Sequence, residues 1–304
     1  MKNQTKIPLV SVIINCYNGE KFLKESIESV VNQSYNNWEL IFWDNQSTDN
    51  SASIIKSYKD KRIKYFYSKA HTKLYHARNL AFERTSGEFV MFLDSDDYFL
   101  SNCLQAQLKL FESEQVDFAC ADIFLKDQAS NKISLRFGKK MPDGHVLSEL
   151  LKNYSVALPT LIIRKNILLD LKVVFNDSYN YIGDFDLVIR LAAKFKMARN
   201  NNPVSVYRIH DNNLSFQNYN LQAVELEEWY EENKKNNLIS SNKNYKNIFY
   251  LVNYKKLIHA MNQKNKHDFF YYLGKVPWSL RKIRLIIIFF FVIVFRYNIN
   301  IFKF

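Results

Sequence analysis

The sequence predicts an α/β protein: a sheet covered by helices on both faces, followed by a basic helical extension. Three observations carry that expectation. Short apolar, β-branched runs alternate with helical stripes through the first hundred residues, the pattern of strands joined by crossover helices. Apolar residues make up 47% and charged residues 24% of 304, enough to bury a sizeable core and unlike collagen-like, low-complexity or disordered chains. Charge is divided: residues 1–230 balance at +1, while residues 231–304 carry 14 basic and 3 acidic side chains.

Taken in order, Leu9–Asn15 (LVSVIIN) is a buried strand, and Phe22, Leu23, Ile27, Val30 and Val31 form a helical stripe. Trp38–Trp43 is a second strand, and Thr48-Asp49 is placed to cap a helix running through Tyr58. Ile63–Phe66 is a strand, Leu74–Glu83 a helix, and Glu88–Leu93 a fourth strand. Then follow a helix to about Glu112, a strand over Val116–Asp122, a polar loop over 125–145 and a strand at Leu161–Ile163. A helix over Asp184–Phe195 and a strand over Val204–Arg208 close this part, and from about residue 217 the chain is helical and basic.

Sheets of this kind bind ligands beyond the carboxyl ends of their strands. The residues there are Asn15, Asp44 and Asp94 to Asp97. Asp94-Ser95-Asp96-Asp97 crowds three carboxylates, which need a compensating charge. Asp94 and Asp96 point to one side of extended backbone and suit a Mg²⁺ or Mn²⁺ ion carrying a phosphate, with a solvated turn as the plainer reading and Asp97 a helix cap. Asp44 has the chemistry to read a base edge or ribose hydroxyl, and Arg78 to pair with phosphate or with the aspartates. Asp184, in Gly183-Asp184-Phe185-Asp186, shares a helical face with Leu187, Val188 and Leu191. It is either an N-cap or, with a raised pKa, a proton acceptor. His210, after Tyr207-Arg208-Ile209, is a metal or phosphate contact or a surface loop residue.

The blocks VSVIINCYNGEKFLKESIESVVNQSY, WELIFWDNQSTD, HARN, GEFVMFLDSDD, GDFDLVIRLA and YRIH, in this order, resemble the family 2 glycosyltransferases over about residues 8–215. The resemblance implies the GT-A fold, a Rossmann-like mixed sheet with helices on both faces. It implies a catalytic domain over 1–215, with a nucleotide-binding half (1–100) and an acceptor half (101–215), before the basic helical region 216–304. By the same resemblance Asn15, Tyr17, Asp44, Asn45, Arg78 and Asp94 line the nucleotide pocket. Asp96 and His210 hold a divalent metal, Mn²⁺ or Mg²⁺, and Asp184 is the base. Two positions depart from the family pattern: Asn45 stands where many members have a second Asp, and Gly183 stands where the Glu-Asp motif has Glu, leaving Asp186 as the fallback base. The Gln-x-x-Arg-Trp motif of processive synthases is absent, which implies transfer of a single sugar; by the resemblance alone the donor is a UDP-sugar and the acceptor a saccharide or lipid-linked glycan. The alternative implied by Gly183 is a non-catalytic nucleotide-sugar binding protein.

Cys16, Cys103 and Cys120 are odd in number and far apart, which points to a reducing, cytoplasmic compartment. No nucleic-acid motif is present, and nucleic acid is not expected as a partner. Leu285–Phe295 is an uninterrupted apolar run flanked by Arg281, Lys282, Arg284 and Arg296, with Trp278 and Tyr297 at its edges. It is short for a membrane span, which takes roughly 20 residues. Basic and aromatic flanks suit a segment, 278–297, lying on the anionic inner face of the cytoplasmic membrane, with a buried helix or strand of the core, or a true span, as the alternatives.

Overall fold

The computed structural model describes residues 7–112, 116–138, 142–214 and 218–294. The chain divides into two compact units, Met1–His210 and Asp211–Phe304.

The first unit is built on one mixed sheet. Its strands are β1 (Val10–Cys16), β2 (Trp38–Asp44), β3 (Ile63–Tyr67), β4 (Phe89–Asp94), β5 (Tyr98–Phe99), β6 (Phe118–Asp127), β7 (Ile133–Leu135), β8 (Ile162–Arg164) and β9 (Met197–Ile209). The order is β3-β2-β1-β4-β8-β6-β9-β5, with β7 added to β6. The first four are parallel, β8 runs against both its neighbours, and β6 and β9 are parallel again. Strands β1 and β2 are buried along nearly their whole length, which is why they read as continuous apolar runs rather than alternating ones. Helix α1 (Glu20–Val31) lays Leu23, Ile27 and Val30 into the core beside Val12, Ile14, Leu40, Phe42, Met91 and Leu93. Helix α2 (Ser51–Ser57) follows β2, and α3 (Leu74–Phe82) connects β3 to β4.

Glu39 staples the amino-terminal ends of the parallel strands. Its buried carboxylate accepts from Ser11 Oγ of β1 (2.5 Å), from Ser86 N (2.5 Å) and Oγ (2.8 Å) before β4, and from Lys64 Nζ of β3 (2.6 Å). Burial pushes its pKa up, but the bonds from Lys64, Ser11 and Ser86 outweigh this and bring it down to about 2. With register fixed, Cys16 pairs with Asp44, Asn15 with Asp94 and Asp44 with Tyr67, so the polar residues at the opposite ends of β1, β2 and β4 lie side by side.

The structure corrects several sequence expectations. Part of the 125–145 segment is strand: β6 runs on to Asp127 and pairs with β7, giving Phe124↔Leu135 and Lys126↔Ile133. Strand β9 starts before Pro203, at Met197, because Pro203 sits opposite Asp122 where the β6–β9 register shifts; a bulge tolerates the missing N–H. Thr48 does not cap α2. Asp49 instead serves two helix starts, accepting from Ser51 N and from Glu20 N, each at 2.9 Å.

Helices α4 (Cys103–Leu108), α5 (Leu147–Lys152), α6 (Lys165–Leu169) and α7 (Gly183–Ala192) complete the first unit; the second is helical, with α8 (Tyr219–Asn233), α9 (Asn237–Ser240), α10 (Lys246–Asn262), α11 (Lys266–Lys275) and α12 (Leu280–Val294). Leu285 and Phe289 of the apolar run pack on Leu257, Met261 and Phe269, with the Phe269 and Phe289 rings stacked 3.6 Å apart. Ile283 and Ile287, on the other side of α12, are exposed. Lys282 turns inward and donates to the Val276 carbonyl at 2.8 Å. Phe295, Arg296 and Tyr297 lie outside the described residues. Among the described residues no helix is long and apolar enough to cross a membrane.

Replacing Glu39 by Gln is expected to lower stability at pH 7 by roughly 3 kcal/mol, the order of the linkage value of its depressed pKa. A folded-state pKa below the unfolded one stabilises above about pH 4.5 and is lost as pH falls toward 2. Chemical denaturation of both proteins at pH 7 and pH 3 checks this; the gap should narrow at pH 3.

Candidate active site

The site forms where β1, β2 and β4 end. Three parallel strands in register leave their last side chains and following loops on one rim, and α3, α7 and the end of β9 bring the remaining groups to it. Asp94, the last residue of β4, is ion-paired with Arg78 Nη2 of α3. Arg78 is buried, with its guanidinium 5.3 Å from the centre of the Tyr75 ring and 5.7 Å from that of Phe175. Burial opposes its charge, but Asp94, Tyr75 and Asp184 together raise its pKa.

Asp184 is the second residue of α7 and is half-buried. It does not occupy the N-cap, which is Ile182. Its Oδ1 accepts from Phe185 N at 2.9 Å and from the Tyr75 hydroxyl at 3.4 Å. Burial raises its pKa; Arg78 and the Phe185 N–H pull it back and Asp94 pushes it further up, for a net rise. Asp186 points away into a bond with Arg190 of the same helix, Nε to Oδ2 at 2.9 Å, so the two acids of this motif have different surroundings.

Beyond β4 the loop doubles back. Asp96 Oδ2 lies 3.0 Å from His210 Nε2, and the Asp96 carbonyl accepts from Arg208 Nε at 2.6 Å. Arg208 also reaches Glu25 at 2.5 Å. Asp97 is not a helix cap: it is buried and accepts from Arg208 N at 2.9 Å. Burial, then Asp96 and Asp94, push its pKa well above the carboxylate range. Asp96 and His210 place a hard oxygen donor and an imidazole nitrogen side by side, a donor pair that fits Mn²⁺ or Mg²⁺ when diphosphate oxygens complete the shell. Among the described residues no cluster of three such side chains exists.

On the β1–β2 side, Asn15 Oδ1 is buried without a hydrogen-bond partner among the described residues, while its amide nitrogen donates to the Leu74 carbonyl at 3.4 Å. Asp44 is buried and accepts from Ser47 N (2.7 Å) and from the Tyr65 hydroxyl (2.9 Å). Asn45 ties down the next loop, donating to the Thr72 carbonyl at 2.8 Å and accepting from Thr72 N at 3.2 Å. Tyr17 is exposed and stands 4.3 Å, centre to centre, from the His71 ring. Asp44 and Asn45 thus use their side chains to fix neighbouring loops, whereas Tyr17 presents an exposed ring.

The sequence reading missed Tyr75, Tyr154, His71 and Arg208. Tyr75 and Tyr154 both sense the Asp184 charge, and no spacing rule links positions separated by 30 to 110 residues. Tyr75, one residue before His76-Ala77-Arg78-Asn79, had a signal: it lies one helical turn from Arg78.

Comparison with known proteins agrees with this architecture. The family model described as glycosyl transferase family 2 matches residues 11–170. WfaP of Escherichia coli, a UDP-Glc:alpha-D-GlcNAc-diphosphoundecaprenol beta-1,3-glucosyltransferase, is 33% identical over 214 residues, 68% of this chain and 80% of that protein. An uncharacterized glycosyltransferase of Rickettsia bellii is 32% identical over 213 residues, and the chain spans 30% of that longer protein. Among solved structures, S. aureus TarS 1–349 in complex with UDP-GlcNAc superposes with a TM-score of 0.61 at 20% identity, over 88% of this chain and 81% of that one. The Pyrobaculum calidifontis mannosyltransferase PcManGT, in complex with GDP-Man and Mn²⁺, gives 0.60 at 14% identity, over 97% and 82%. With its sheet, its acidic rim and these likenesses taken together, the chain belongs to glycosyltransferase family 2 and has a GT-A-like fold.

Proposed function

We propose that this protein moves one sugar from a UDP-sugar donor to a hydroxyl of a saccharide or lipid-linked acceptor, with inversion, in the assembly of a cell-surface glycan. The observation that carries the reading is the pairing, on one rim, of an aspartate with a raised pKa (Asp184) and an acidic loop containing Asp96 beside His210. Asn15, Tyr17, Arg78 and Asp94 contact the nucleotide and its sugar, and Asp44 and Asn45 hold the walls of that pocket. Asp184 accepts the proton of the acceptor hydroxyl as its oxygen bonds to the anomeric carbon. The bond from that carbon to the diphosphate breaks on the opposite face, releasing UDP, and a single displacement inverts the centre. Asp96 and His210 would hold a divalent cation, which when bound would supply positive charge to the diphosphate leaving group. The raised pKa of Asp184 suits this work, because a stronger base takes the proton of a weakly acidic alcohol more readily.

The WfaP relative acts on a diphosphoundecaprenol-linked sugar, and the C-terminal unit supports a similar membrane setting here. Residues 231–304 carry 14 basic and 3 acidic side chains, and Trp278, Phe270, Ile283 and Ile287 are exposed. Basic residues with aromatic and aliphatic neighbours bind anionic lipid surfaces. We assign this region to peripheral attachment at the inner face of the cytoplasmic membrane.

Asp184→Asn is expected to lower kcat by on the order of 10²–10⁴ while UDP with Mn²⁺ still raises the melting temperature; transfer assays with UDP-sugars and a synthetic GlcNAc-diphospho-lipid check it. Unchanged turnover in this variant sinks the assignment of the base. UDP at a hundredfold excess over Kd should stabilise the protein by about 2.7 kcal/mol. In Asp96→Ala the increment added by Mn²⁺ disappears and the metal-free increment stays, as read by thermal unfolding with and without chelator. The full chain should sediment with phosphatidylglycerol vesicles and be released by salt, and Trp278→Ala with Arg284→Glu should weaken it by about 1 kcal/mol or more. Equal partitioning of this double variant would remove the membrane assignment.

A further inference from the structure

Position 183 cannot carry a side chain. A Cβ built there falls 2.7 Å from two carbons of the Tyr75 ring, far inside any van der Waals contact. The ring cannot easily yield, because it is buried, stacked on Phe175 at 5.4 Å and covered by Arg78 at 5.3 Å. Phe175 is itself wedged edge-on against Phe92 of β4. Tyr75 is thereby held with its hydroxyl beside Asp184.

The carboxylate of Asp184 is consequently gripped on one side. Both of its hydrogen bonds among the described residues, from Phe185 N and from the Tyr75 hydroxyl, end on Oδ1. Oδ2 has no hydrogen-bond partner among the described residues. A carboxylate anchored through one oxygen presents the other in a defined direction. The Tyr75 contact, at 3.4 Å, is long for an O–H···O bond, and bonds of this kind tighten when a substrate is bound.

We propose that Tyr75 is a positioning residue for Asp184, with Gly183 as its obligatory partner. The bare backbone at 183 admits the ring, and the ring's hydroxyl fixes Oδ1 so that Oδ2 is the oxygen that receives the acceptor proton. This rests on Asp184 being the base. The groups facing Asp184 are Tyr75 and Arg78 from α3, Asp94 from β4 and Tyr154 from the segment after α5. Of these, Tyr75 is the one whose hydroxyl donates to its carboxylate, and a hydrogen bond to the charged form lowers a carboxylate pKa.

Tyr75→Phe keeps the ring and removes only the hydroxyl, so the packing around Gly183 is preserved. Two measurements read the result. The first is the titration midpoint of the Asp184 carboxylate by ¹³C NMR, assigned by its loss in Asp184→Asn. It should move up by about half to one pH unit in Tyr75→Phe. The second is turnover of UDP-glucose, where kcat should fall by roughly 10–150-fold, the kinetic value of one hydrogen bond to a charged group, with KM for the donor within about twofold. A purely structural role for Tyr75 would alter the melting temperature and leave the midpoint in place. In a second pair, Gly183→Ala should lower the melting temperature strongly in the native background and much less in Tyr75→Ala, where the ring is gone. An unmoved midpoint in Tyr75→Phe, or an equal cost of Gly183→Ala in both backgrounds, overturns the inference. Undiminished turnover in Asp184→Asn overturns the assignment of the base instead, so the two failures are distinct.

Discussion

The charge of Arg78 is the constraint around which the site is arranged. A guanidinium buried between aromatic rings is costly unless carboxylates face it, and here it pairs with Asp94 and sits in the field of Asp184. The same cation restrains the rise in the Asp184 pKa that burial produces. Two acids from β4 and α7, more than eighty residues apart, are therefore tied to one residue of α3. Moving Arg78 would disturb Asp94 and Asp184 together.

Parallel register is what lets a single helix do this. Strands β1, β2 and β4 end level with one another, and Glu39 binds their other ends to β3 and to the turn before β4. Beyond β4, the chain folds Asp96 and Asp97 back under β9, where Arg208 takes a carbonyl and a carboxylate in turn. Asp97 is thus a strut for the acidic loop, and Asp96 is the member left next to His210. Three acids that look equivalent in sequence have three separate surroundings.

Gly183 illustrates how a departure from a family pattern can be read physically. In the sequence it looks like a damaged motif. In the structure the Tyr75 ring fills the space above it, and Asp184 gains a second bond on the oxygen already held by its helix. The space that a side chain at 183 would need is taken by the Tyr75 ring, from a different element.

The sequence by itself determined the strand and helix alternation of the first hundred residues, the placing of Asn15, Asp44 and Asp94 at strand ends, and the family. These are local or periodic features, and apolar runs of β1, β2 and β4 leave few other ways to bury them. It did not reveal that β9 starts at Met197 or that residues 133–135 pair with β6, because a bulge at Pro203 and a short exposed strand carry no hydrophobic signature. It left the apolar run after residue 284 open between membrane and core; Leu285 and Phe289 pack inward while Ile283 and Ile287 face out, a division set by which face of α12 meets α10 and α11. Only the tertiary structure decided that Asp184 rather than Asp186 stands near Arg78, and that Tyr75 stands over Gly183. Electrostatic and steric partners of this kind are neighbours in space across a hundred residues of chain, and nothing in their spacing along it announces the contact.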